Sequence, residues 1–119
     1  MLLALFEAAL STLEQGISAI ESKDAQATIN HRHRLQRILL QLIDGLNLDG
    51  GTLATNLQRL YLYALEQIRS QQISAWKSAR EILGTIRDGF SQIQEEARKY
   101  EISENMSANT SGAIYANHA

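Results

Sequence analysis

Apolar residues along the chain recur at alternating steps of three and four, the spacing of helices with one buried face. In the first segment Leu3, Phe6, Leu10, Leu13, Ile17 and Ile20 form a seam that Leu2, Leu5 and Ala9 broaden. The polar stretch ESKDAQ ends it, and Asp24 is placed to cap the next helix, its carboxylate accepting from the N–H groups that start it. The second segment runs to about Leu46 with Leu35, Ile38, Leu39, Leu42, Ile43 and Leu46 on its buried side. NLDGGT stops it: paired glycines suit left-handed backbone, and Asp49 or Thr52 is expected to cap the following helix. The third helix is expected over about 52 to 70, on a stripe of Leu57, Tyr61, Ala64 and Ile68. RSQQ separates it from a fourth helix patterned by Trp76, Ala79, Leu83, Ile86, Phe90, Ile93 and Ala97.

Four helices joined by short turns predict an all-α fold, an antiparallel up-down four-helix bundle over residues 1–100. From Glu101 the periodicity stops, and the Ser- and Asn-rich remainder, 101–119, reads as a flexible polar tail with too little apolar surface to offset its ordering entropy.

The third helix carries more apolar side chains than its core stripe needs. At about 100° per residue, Leu62 falls roughly 120° to one side of the stripe's centre and Tyr63 a similar distance to the other. Leu40 occupies an off-stripe position on the second helix, and Leu5 belongs to the broad apolar face of the first. Single exposed leucines are ordinary and need no explanation. Taken together, the four residues outline a groove able to accept an amphipathic helix from a partner.

Composition narrows the classes. The 119 residues hold 20% charged side chains and a net charge of -2, which points to neither nucleic acid nor membrane as a partner. The absence of cysteine removes disulfides and thiolate metal sites, and a cytoplasmic location is expected. The apolar start lacks a basic n-region, carries Glu7 and Glu14, and is too short and too charged to span a bilayer.

No catalytic signature emerges, and no cofactor is expected. His31 and His33 in HRHRLQR are two apart, so on a helix they point in nearly opposite directions and cannot share a metal ion. A helical phosphotransfer or signalling domain using either histidine is the rival reading, although Leu35, Gln36 and Arg37 put bulk where a phosphotransfer partner would approach. A self-associating structural bundle is the third, and the chain is expected to be a monomer or a homodimer.

The same residues resemble the flagellar export chaperone FliS family over about Leu2 to Ile93. Phe6, Glu7, Ala8, Ala9 and Leu10 stand for the family's Y-D-G-A-L, and the helix ends in the similar AIESKD. RLQRILLQLIDGLNLDGG is similar to the second helix and its glycine turn. Asn56, Leu57, Leu60, Tyr61 and Tyr63 match N-L-x-x-L-Y-x-Y, and Phe90 stands where a tryptophan is usual. The resemblance implies a non-enzymatic bundle that holds the disordered C-terminal segment of flagellin as helices. Such binding prevents polymerisation before delivery to the flagellar export gate. Tyr63 is the client-binding residue carried over from the family pattern; Leu5, Leu40 and Leu62 are added by helical geometry, while Phe6 and Tyr61 are expected in the core. The family's N-terminal segment, which can lie over the apolar surface, has no counterpart before Leu2; a truncated start and a member without that lid both remain open.

Overall fold

The computed structural model describes the backbone of residues 2–110 and the side chains of residues 2–100. The elements are α1 (Leu2–Glu21), α2 (Ala25–Asp44), a 3-10 turn (Leu48–Gly50), α3 (Thr52–Gln67) and α4 (Ile73–Thr110), with no strand among the described residues. The fold is therefore all-α with four helices, as the periodicity predicts. The chain divides after Arg87 into two compact units, residues 1–87 and 88–119.

In the first unit α1 and α2 form a tight helical hairpin. Lys23 takes a left-handed conformation, φ 58°, and the Asp24 N–H reaches back to the Ala19 carbonyl at 2.9 Å, closing the orphan carbonyls of α1. Asp24 then caps α2, accepting from the Ala27 N–H at 3.0 Å. One residue thus ends one helix and begins the next. The expected cap on α3 is not made by Asp49 or Thr52. Gly51, φ 92°, holds that position with no side-chain bond, and Asn47 caps the 3-10 turn instead. The α2 helix stops at Asp44, two residues early, because the Gly45 N–H already closes on Gln41 and Ile43. The α3 helix ends at Gln67 rather than near residue 70.

The core is built from the predicted stripes. Phe6, Leu13, Leu35, Leu39, Tyr61, Ile68, Trp76 and Leu83 are sealed from solvent. Each large apolar side chain so buried contributes on the order of 1.5–3 kcal/mol. Phe6 and Tyr61 meet with ring centroids 6.2 Å apart and planes tilted by 47°. Burial pushes the Tyr61 phenol up to about 12. The Trp76 indole donates to the Ser70 carbonyl at 2.8 Å, so the largest core side chain also satisfies the turn before its own helix. Arg80 pairs with Glu14 at 2.7 Å and Arg87 with Glu7 at 3.0 Å. Seven residues forward on α4 thus match seven back on α1, consistent with helices running in opposite directions.

The second unit begins at Asp88 and contains the remainder of α4. Ile93 and Ala97, expected on a buried stripe, are exposed. The helix continues to Thr110, beyond the loss of periodicity at Glu101; residues 111–119 of the expected tail lie outside the described residues.

Candidate functional site

The α3 helix carries two apolar faces. Ala54, Leu57, Tyr61, Ala64 and Ile68 are turned into the core. Leu53, Leu60 and Tyr63, spaced by seven and three, make a ridge beside them with exposures of 64%, 37% and 43%. The ridge centre lies roughly 100° around the helix from the core centre. It flanks α4, because the Tyr63 hydroxyl lies 3.4 Å from the Ser78 hydroxyl. The ring therefore offers a face to solvent while its hydroxyl is turned toward α4.

Leu62 lies on the opposite flank of α3 and is 50% exposed; Leu40, on α2, is 51% exposed. The Arg32 guanidinium Nε donates to the Ile68 carbonyl at 3.0 Å, tying α2 to the C-terminal end of α3. Counted in opposite directions from that tie, Leu40 and Leu62 fall within about one helical turn of the same height. The helical positions of the half-buried Ile29, Ile43 and Leu65 mark the facing sides of the two helices, and Leu40 and Leu62 stand at their outer edges. Leu40 and Leu62 thus border the α2–α3 junction, whereas Tyr63 belongs to the α3–α4 side. Leu5 is half-buried on α1.

Leu53 and Leu60 are absent from the groove residues expected from the sequence, although a signal for them exists. Both fall about 60° to 80° off the core centre, close enough to be mistaken for stripe members. Their exposure depends on how neighbouring helices cover that flank, which periodicity does not encode.

The basic cluster resolves into separate roles. Arg32 is engaged at the end of α3, His31 is half-buried and His33 is exposed. No cluster of three His, Cys, Asp or Glu suited to a metal ion occurs among the described residues. No described helix is long and apolar enough to cross a membrane.

The arrangement defines a helical bundle that presents apolar flanks along α2 and α3, a form suited to binding another polypeptide. A family model described as "Flagellar protein FliS" matches residues 1–97, and the chain belongs to that family of flagellar export chaperones. Comparison with curated proteins found no match.

Proposed function

We propose that this protein is a cytoplasmic chaperone for flagellin. It holds the disordered C-terminal segment of flagellin as helices on the bundle surface and prevents polymerisation before type III flagellar export. Membership of the family supports flagellin as the partner. The observation that carries the binding mode is the set of large apolar side chains left open on α2 and α3: Leu40, Leu53, Leu60, Leu62 and Tyr63. An amphipathic client helix laid along such a flank buries its own apolar face, which offsets the entropy lost when the segment orders. Leu5, half-buried on α1, is a further client-binding candidate. The reaction needs no cofactor, since the work is reversible coverage of apolar surface. The loaded complex would then be handed to the export gate.

Titration with a C-terminal flagellin peptide, followed by circular dichroism, tests the reading. The mixture should gain helix beyond the sum of its parts. Tyr63→Glu and Leu62→Glu should weaken binding at least about tenfold, since each puts a charge against the client's apolar face at a cost near 1.4 kcal/mol or more. Unchanged thermal unfolding of the free variants would exclude misfolding as the cause. A wild-type mixture with no helical gain sinks the client assignment. Variants that bind as tightly as wild type would move the contact surface elsewhere.

A further inference from the structure

The three helix-interior glycines of the described chain are not equivalent. A Cβ built on Gly16 would run into the Trp76 ring, so packing demands glycine there. Gly84 and Gly89 have nothing within 4 Å of that position. Both lie inside α4, where glycine weakens a helix and no neighbour requires it. They bracket Arg87 and Asp88, where the chain's two compact units divide.

The support given to α4 changes across the same boundary. Trp76, Ala79 and Leu83 are sealed in the core. Every residue from Ser91 to Tyr100 is exposed, including Ile93 at 61%. Burial does little for helix stability there, leaving intrinsic propensity and local pairs such as Arg98 with Glu95 at 2.7 Å. Helices that depend on propensity alone are marginal in water.

We propose that α4 is a jointed helix: the stretch 84–89 uncouples its two parts, and residues 88–100 open and reclose while residues 2–87 stay folded. This segment is a cooperative unit of its own, drawn from the low-stability end of the molecule. The inference concerns the free chain and is independent of the client.

Hydrogen exchange of the full chain, read by mass spectrometry of peptides, tests it. Amides of residues 90–100 should exchange at least about a hundredfold faster than those of residues 6–17, through an opening insensitive to low urea. Gly89→Ala should slow exchange at 90–100 by about fivefold, and Ala97→Gly should speed it by about the same factor. Both should leave residues 6–17 unchanged. The proposal is overturned if residues 90–100 are as protected as 6–17, if neither variant alters their exchange, or if the variants shift both regions together.

Discussion

The Trp76 ring fills the space in which a side chain on Gly16 would begin. This contact sets the closeness of α1 and α4, and it explains a glycine in the middle of a helix that would otherwise be stronger with alanine. Gly16→Ala should therefore destabilise the fold despite its better helix propensity. Trp76 is wholly enclosed and its indole is tied to Ser70, so the ring has little freedom to yield. A net loss of about 1–3 kcal/mol is expected, read as a lower urea midpoint with an unchanged slope.

Alkaline stability should follow Tyr61. Its phenol is raised from 10.0 to about 12 by desolvation, so the folded state holds the proton more tightly than the unfolded chain. The favourable contribution is complete below pH 10 and is lost as pH rises through 12. The loss amounts to about 2–3 kcal/mol. Tyr61→Phe should flatten this part of the stability–pH curve relative to wild type, measured by urea unfolding at intervals across that window.

The α1–α4 ion pairs should matter little for stability. Glu14 and Arg80 keep 59% and 37% of their side-chain surface in solvent, and Glu7 is 61% exposed. A double-mutant cycle on Glu14 and Arg80 should give a coupling below about 1 kcal/mol that shrinks in high salt. A larger, salt-resistant coupling would show that the pair is organised by more than its exposed contact.

Asp24 should be the costliest polar residue to remove from the α1–α2 turn. Asp24→Ala loses the bond to Ala27 while leaving the backbone closure to Ala19 available. Destabilisation of about 1 kcal/mol is expected by thermal or chemical unfolding, with Asp24→Asn retaining most of the cap.

What the residues alone disclose follows a physical line. Heptad spacing identifies Phe6, Leu13, Leu39, Tyr61 and Trp76 as core because a stripe of that period must be buried somewhere. The same rule fails at Ile93 and Ala97, since period says which residues share a face and nothing about whether another element covers it. Asp24 is legible as a cap because its side chain makes the bond; Gly51 is not, because it makes none. Lys23 is invisible because a left-handed lysine has no distinguishing residue type. Leu40, Leu62 and Tyr63 are exposed, in keeping with their off-stripe positions, but which helix each side of α3 faces comes only from the tie of Arg32 to Ile68 and the approach of Tyr63 to Ser78.

The enclosure of Trp76 has a practical corollary. It is the only tryptophan in the chain, and no solvent reaches it. Its emission should report loss of the interior and be nearly blind to anything settling on the outer helical faces. A fluorophore attached near Leu62 would supply the missing signal, with the native indole as an internal reference for integrity.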